Sequence, residues 1–244
     1  KLYDNGDLQG AIDEFKRALL IDPSNVNVHN SLGVCFGLQG EYESAIEEFK
    51  HVASIDPGDY MAMFNLGLVH VLRKQPEKAL ECFLNADKIN GDVYEVAFQS
   101  GKLYFESGHL EKAKPFLERA AKLDPDSGAV YRYLGDCYAA GNLTQDAISA
   151  YKKAIRHNPH DAAAMSALGC LFDDQGENPE ITLMFCKESV GLSPENGLFR
   201  YRLGRLYFRQ ERFDDALKEY EKAEQFGYDA ARDIQEIKER QAAK

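Results

Sequence analysis

Hydrophobic and small side chains recur along this chain with the spacing of amphipathic helices. Over residues 131–138 they fall at positions i, i+3, i+4 and i+7, which is one stripe of a helix. Gly141 interrupts the pattern, a second stripe runs over residues 147–155, and Pro159 ends it. Each predicted helix has only about 12 to 14 residues, which is marginal for an isolated helix in water. The pattern therefore predicts pairs of short helices that are stabilised by packing on one another.

The helix-pair pattern repeats with a period of 34 residues, apart from one interval of 35. Glycines follow this period at Gly33, Gly67, Gly101, Gly135, Gly169 and Gly204. Small residues follow it at Ala11, Ala45, Ala79, Ala113, Ala147, Thr182 and Ala216. Prolines follow it at Pro23, Pro57, Pro125, Pro159 and Pro194, and Gly91 stands where one proline is skipped. Three series with one period predict a stack of structural repeats in which each repeat packs on its neighbours.

The small residues of the period have a packing role. Gly135 on the first helix and Ala147 on the second carry little bulk, so the two helices of a pair can cross closely. We expect the aromatic residues Tyr138 and Tyr151 to fill the space on either side of this crossing.

These positions resemble the signature of the tetratricopeptide repeat (TPR) family. That signature has an aromatic residue at the fourth position, Leu-Gly at the seventh and eighth, and small or aromatic residues further on. Residues 128–161 match it at Tyr131, Leu134, Gly135, Tyr138, Ala147, Tyr151, Ala154 and Pro159. The resemblance implies an all-α fold, a right-handed superhelical solenoid of antiparallel helix pairs in 34-residue units with a C-terminal capping helix.

The resemblance covers almost the whole chain as a single array. It predicts a partial repeat at 1–25, repeats at 26–59, 60–93, 94–127, 128–161, 162–196 and 197–228, and a capping helix at 229–244. Because the chain begins within a predicted helix, we expect the parent protein to extend further upstream. For residues 229–244, a partner-binding amphipathic helix is the alternative to a cap.

Charge and composition narrow the classes of partner. The 40 Asp and Glu outnumber the 29 Lys and Arg, and a formal net charge of −11 opposes binding to nucleic acid. No apolar run reaches the roughly 18 residues that a membrane span needs, so no membrane insertion is predicted. The five cysteines are odd in number and include no Cys-x-x-Cys, which favours free thiols in a reducing, cytoplasmic compartment.

Motifs of catalysis or cofactor binding are missing from the sequence. It has no nucleotide-binding glycine loop, His-Glu-x-x-His or Gly-x-Ser-x-Gly. His157 and His160 flank a turn but lack further candidate metal ligands, and the adjacent carboxylates Asp173 and Asp174 would point in different directions on a helix. The sequence therefore predicts a protein that is not an enzyme and has no cofactor and no metal.

The family resemblance also implies a concave groove lined by the first helix of each pair, where peptides or helices bind. The candidate contacts there are Asn30, Asn65, Gln99, Lys102, Arg132, Tyr133, Tyr201, Arg202, Arg205 and Arg209. The amides among them can donate to and accept from a ligand backbone at once. Ordinary solvated surface is the alternative interpretation.

Arginines are concentrated on one predicted helix of this acidic chain. Arg202, Arg205 and Arg209 share a helical face, and guanidinium groups suit bidentate binding of carboxylates. One hypothesis is an acidic ligand at this face. The other is that these arginines pair with Asp173 and Asp174 of the preceding repeat.

The sequence therefore predicts a non-catalytic protein–protein interaction scaffold that binds a peptide or protein segment, with an acidic segment as one candidate. Two alternatives stay open. The array could be the regulatory or docking part of a longer multidomain enzyme, or it could assemble with copies of itself into a homo-oligomer.

Overall fold

Helices joined by short turns make up nearly all of residues 7–176 and 178–242, the part of the chain that the computed structural model describes. This part contains fourteen helices, and no strand occurs in it. Residues 1–6 of the predicted partial repeat, residue 177 of the predicted repeat at 162–196, and residues 243–244 of the predicted cap lie outside the described residues. The all-α fold predicted from the hydrophobic pattern is confirmed.

The chain divides into two compact units, residues 1–125 and 126–244. The helices of the N-terminal unit are α1 (Leu8–Ile21), α2 (Val26–Gln39), α3 (Tyr42–Ile55), α4 (Tyr60–Leu72), α5 (Pro76–Ile89), α6 (Tyr94–Glu106) and α7 (Leu110–Leu123). Within this unit, α2 packs mainly on α3, α4 on α5, and α6 on α7.

The C-terminal unit has the same organisation. Its helices are α8 (Gly128–Ala140), α9 (Thr144–His157), α10 (Ala162–Asp174), α11 (Pro179–Leu192), α12 (Gly197–Arg209), α13 (Phe213–Gln225) and α14 (Ala231–Ala242). Here α8 pairs with α9, α10 with α11, and α12 with α13, while α14 packs on α13. Ile234 and Ile237 of α14 are buried in this contact.

Side chains at the turns between repeats fix where the first helices begin. The Asn25 carboxamide oxygen accepts a hydrogen bond from the Val28 amide at 3.2 Å, and the Asp161 carboxylate accepts one from the Ala164 amide at 2.9 Å. Such N-caps satisfy backbone donors that have no partner inside the helix. The turn residues of the repeat are therefore start signals for α2 and α10.

Glycine is needed where the two helices of a pair cross. A Cβ atom at Gly135 would lie 2.6 Å from two ring carbons of Tyr151, and one at Gly67 would lie 2.5 Å from a ring carbon of Phe83. The helices can pack at this distance only because the glycine leaves room for the ring. This is the close crossing that the glycine series predicts.

The interior of both units is apolar and includes most of the cysteines. All five are free thiols, and four of them are buried. Burial raises the pKa of the Cys82 thiol to about 11 and that of the Cys186 thiol to about 12. These two thiols therefore stay protonated at neutral pH and act as small apolar side chains.

Candidate functional site

An uncharged groove runs between α2 and α4 in the N-terminal unit. One part, a cavity of about 440 Å³, is lined by Phe15, Asn27, Asn30, Ser31, Val34, Met61 and Asn65. An adjoining recess of about 140 Å³ is lined by Gly33, Val34, Gly37, Leu38, Phe49, Asn65, Leu68, Val69 and Leu72. We call the two together the α2–α4 groove. Its described lining contains no charged side chain, although the chain has a net charge of −11.

Large apolar side chains on this groove are open to solvent. Leu38 is 60% exposed, Leu72 57% and Met61 47%. Burying a fully exposed side chain of this size is worth about 1.5–3 kcal/mol. About half of that surface is still open on each of these residues, so a ligand can cover it. These three apolar residues are not among the candidate contacts predicted from the sequence.

Two of the predicted amides lie in the α2–α4 groove. The Asn30 amide nitrogen donates to the Asp59 carboxylate at 2.7 Å, and its side-chain oxygen is buried without a described partner. Asp59 also caps α4, since its carboxylate accepts from the Met61 amide at 2.8 Å. Asn65 lines both parts of the groove, and no hydrogen bond within the described residues engages its amide. The Asn30 oxygen and the Asn65 amide thus have hydrogen-bonding capacity left.

Gln99 and Lys102 lie on α6 of the same unit. Both are partly buried, and the Lys102 ammonium lies 3.8 Å from the Glu106 carboxylate one turn later. The charge of this lysine is therefore already partly balanced within its own helix.

Arg132 and Tyr133 on α8 are engaged within the C-terminal unit. The Arg132 guanidinium lies 4.3 Å from the centre of the Tyr133 ring and within 3.5 Å of the carboxylates of Asp136 and Asp161. Tyr133 is buried. These contacts leave the tyrosine little surface for a ligand.

The Tyr151 hydroxyl donates to the Asp136 carboxylate at 2.7 Å. Burial raises the pKa of Asp136. Burial and the negative charge of Asp136 both raise the pKa of Tyr151. The hydrogen bond holds the Tyr151 ring next to Gly135. Asp136, on the polar face of α8, therefore helps to keep the ring in the close crossing of α8 and α9.

The arginine face of α12 is paired with α10. The Arg209 guanidinium lies 2.6 Å from the Asp173 carboxylate and 3.2 Å from that of Asp174, and the Arg205 guanidinium lies 3.3 Å from the Asp174 carboxylate. The partner described for Arg202 is neutral, the Ser166 hydroxyl at 3.0 Å. At Arg205 and Arg209, the structure therefore agrees with the second hypothesis, in which these arginines pair with Asp173 and Asp174.

Tyr201 is packed against other rings at the same end of the chain. Its centroid lies 4.7 Å from that of Tyr228 and 5.4 Å from that of Tyr220. Burial raises its pKa, with a contribution from Asp233. The ring therefore helps to hold the last helices together.

Two partly buried contacts between a basic side chain and a glutamate were not predicted from the sequence. His29 on α2 contacts Glu48 on α3, and Arg200 on α12 contacts Glu219 on α13. The signal was available in the sequence, since a basic residue and a glutamate stand nineteen positions apart in both places.

The described residues contain neither a candidate metal cluster nor a candidate membrane-spanning helix. Across residues 7–176 and 178–242, no group of three or more His, Cys, Asp or Glu side chains could hold a metal ion. Near the predicted two-histidine turn, the His157 ring instead stacks on Tyr131. None of the described helices combines the length and apolar character that crossing a bilayer requires.

Solved structures with this fold are numerous. YrrB, a TPR protein with an unusual peptide-binding site, aligns with a TM-score of 0.67 and 18% identity over 76% of this chain and 95% of its own. The pilF protein of Pseudomonas aeruginosa aligns with a TM-score of 0.73 and 20% identity over 91% and 99%. The MamA protein aligns with a TM-score of 0.62 and 22% identity over 70% and 92%. No curated protein sequence matches the chain.

Family profiles match the sequence along most of its length. The tetratricopeptide repeat profile matches residues 39–92, 98–162, 139–180 and 187–231, and a second TPR repeat profile matches residues 1–40. These matches cover more than half of the chain, and its structural neighbours include TPR proteins. The chain belongs to the tetratricopeptide repeat family.

Proposed function

We propose that this protein is a non-catalytic scaffold that binds an extended protein segment with uncharged, apolar side chains in the α2–α4 groove. The tetratricopeptide repeat fold is that of protein–protein interaction scaffolds, which generally have no enzymatic activity. The single observation that carries the proposal is the uncharged lining of this groove in a strongly acidic chain.

The apolar part of the groove supports the choice of side chains. Leu38 and Leu72 stand at the ends of α2 and α4, and both are more than half exposed. A ligand that covers them removes apolar surface from water without having to displace an ion pair. A charged side chain placed there would lose its hydration and find no counter-charge among the described lining residues.

The amides support recognition of a main chain. A carboxamide donates and accepts at once, as a peptide group does, so Asn65 can bond both to an N–H and to a C=O of an extended segment. The unpartnered oxygen of Asn30 can accept one more hydrogen bond. Backbone contacts of this kind give affinity with little demand on sequence, and the apolar recess then supplies the selectivity.

An acidic ligand at the α12 arginine face is the weaker proposal. Arg205 and Arg209 already pair with Asp173 and Asp174, so an acidic segment would have to replace contacts that exist. Arg202 donates to a neutral hydroxyl, so an acidic segment could bind it without replacing a hydrogen-bonded carboxylate.

The test begins with selection of binders from a phage-displayed random peptide library against the folded chain. We expect the selected peptides to be rich in apolar residues and poor in charges. The double variant Leu38→Glu, Leu72→Glu should weaken their binding at least tenfold, which corresponds to about 1.4 kcal/mol. Binding constants come from fluorescence polarisation with the labelled peptides.

A matched control separates the groove from apolar surface in general. Met184 on α11 is 52% exposed and lies in the other unit, so Met184→Glu should leave binding unchanged. Peptides that bind the groove variant as tightly as the unaltered chain would contradict the proposal, as would a library without binders. Acidic peptides that lose binding when Arg202, Arg205 and Arg209 are all changed to Glu would instead support the arginine face.

A further inference from the structure

His29 has hydrogen-bond acceptors on both sides of its ring. It is 8% exposed, its Nδ1 lies 2.6 Å from a Glu48 carboxylate oxygen, and its Nε2 lies 2.9 Å from the Pro23 carbonyl oxygen. A neutral imidazole has one N–H and one lone pair, whereas a carbonyl can only accept. The ring therefore donates to both partners only when it is doubly protonated.

The C-terminal unit has the same arrangement with a permanent cation. Arg200 Nε donates to the Pro194 carbonyl at 2.9 Å, and its Nη1 donates to the Glu219 carboxylate at 2.7 Å. The sequence separations are six and nineteen residues in both places. An arginine stays charged throughout the physiological pH range. This position of the repeat therefore suits a positively charged side chain, and His29 is a residue there whose charge depends on pH.

The cation and the glutamate occur together in this chain. The four other helix pairs have neither residue at the equivalent positions. The first position of each holds Met63, Ala97, Tyr131 and Met165, and the second holds Cys82, Phe116, Ala150 and Phe185. An unpaired glutamate or an unpaired cation at so buried a place would be costly, which explains why the two residues appear as a pair.

The charged and titratable groups around His29 come from the neighbouring elements. Glu48 and His51 face it from α3, the His51 ring edge-on at 4.4 Å between centroids, and Asp22 lies at the end of α1. Burial lowers the pKa of His29, but the hydrogen bonds to Glu48 and Pro23 and the charges of Glu48 and Asp22 raise it more. The pKa therefore lies above the ordinary value of 6.5.

We infer that His29 is a proton-dependent clamp that joins the turn after α1 to α3 across α2. Its protonated ring holds the Pro23 carbonyl and the Glu48 carboxylate together, and loss of one proton leaves one of these contacts without a donor. Arg200 makes the equivalent two contacts in the C-terminal unit, and its charge does not change with pH in the physiological range.

The direction of the pH effect follows from linkage. Because the folded protein binds the proton more tightly than the unfolded chain, the stabilisation is complete below about pH 6.5 and is lost as the pH rises through the folded value. The loss should be local to α1 and α2. Phe15 on α1 lines the α2–α4 groove, so alkaline conditions should loosen one edge of it.

The first measurement is a titration of the His29 ring by nitrogen-15 NMR of the whole chain, with His29→Gln assigning the signals. At pH 6.5 we expect more than half of the His29 rings to show two protonated nitrogens. A ring that is mostly neutral at that pH would overturn the inference, and this measurement needs no variant to be stable.

The second measurement is hydrogen exchange, expressed as protection factors that correct for the intrinsic pH dependence of exchange. Protection of α1 and α2 should fall as pH rises in the unaltered chain and stay level in His29→Arg. Arg200→His should create the same alkaline loss in α11 and α12. Equal losses in the unaltered chain and in His29→Arg would show that another group titrates, and would overturn the clamp.

Discussion

Replacing Gly135 with alanine adds one methyl group at the crossing of α8 and α9. The new Cβ would lie 2.6 Å from Tyr151 Cδ1 and Cε1, about 0.8 Å closer than the 3.4 Å at which ordinary contact begins. The ring cannot easily retreat, because Tyr151 is buried and its hydroxyl is bonded to Asp136 at 2.7 Å. Either the helices move apart or this hydrogen bond is lost.

The magnitude follows from two opposing effects. Overpacking of a well-packed site typically costs about 1–3 kcal/mol. Alanine in place of glycine favours a helix by about 1 kcal/mol. We expect the overpacking to win, so Gly135→Ala should lower the free energy of unfolding by up to about 2 kcal/mol, and Gly135→Leu should lower it further.

Gly191 in α11 provides the matched control. It is also a helical glycine, but a Cβ there would meet nothing within 4 Å. Gly191→Ala should therefore stabilise the protein by up to about 1 kcal/mol, the opposite sign. Urea unfolding followed by helical circular dichroism compares the midpoints of the three proteins. If Gly135→Ala unfolds at the same or a higher urea concentration than the unaltered chain, the packing argument for the glycine series is wrong.

Two further predictions concern the thiols and the ion pairs. Alkylation of the native protein should modify Cys170 first, and Cys82 and Cys186 only on unfolding, because burial keeps these two protonated. Intact mass after alkylation in denaturant without reductant should show five modified thiols, whereas three would reveal a disulfide. A double-mutant cycle of Arg209→Ala with Asp173→Ala should give a coupling of about 0.2–1 kcal/mol that decreases with added salt, because the arginine is partly solvated. A coupling of zero would mean that the contact with Asp173 does not stabilise the fold.

The close helix crossings could be predicted from the sequence because they depend on the backbone. A glycine at this period requires the same close approach in each repeat, and the side chain that fills the space comes from the second helix of the pair. For Gly135 the sequence also indicates the partner, Tyr151. The six glycine positions need no knowledge of side-chain conformation, so periodicity alone is sufficient.

The charged positions could be predicted only as alternatives. Both an acidic ligand and the pairing with Asp173 are compatible with the spacing of Arg205 and Arg209 on α12. The choice depends on the distance from α12 to α10 and on the arginine rotamers, neither of which a sequence pattern specifies. The α2–α4 groove could not be predicted from the sequence for a similar reason. Leu38 and Leu72 are apolar, and only the structure shows that they are exposed.

The His29 and Arg200 pairs could have been found by comparing the repeats of this chain with one another. The family signature has an aromatic residue at the fourth position of the repeat, where this chain has His29 and Arg200 in two of its repeats. Their relation to Glu48 and Glu219 becomes visible only when residues nineteen positions apart are read together.

Within each unit, the helices that pack together are neighbours or next-but-one neighbours along the chain. Forming each contact therefore closes only a short loop, and proteins rich in such local contacts fold fast. A helix pair such as α2 and α3 can close while the residues that follow are still being synthesised. In the C-terminal unit, Ile234 and Ile237 follow α13 in the chain, so the apolar surface of α13 that they cover stays open until α14 has been synthesised. That interval is when this unit is most exposed to aggregation during its biosynthesis.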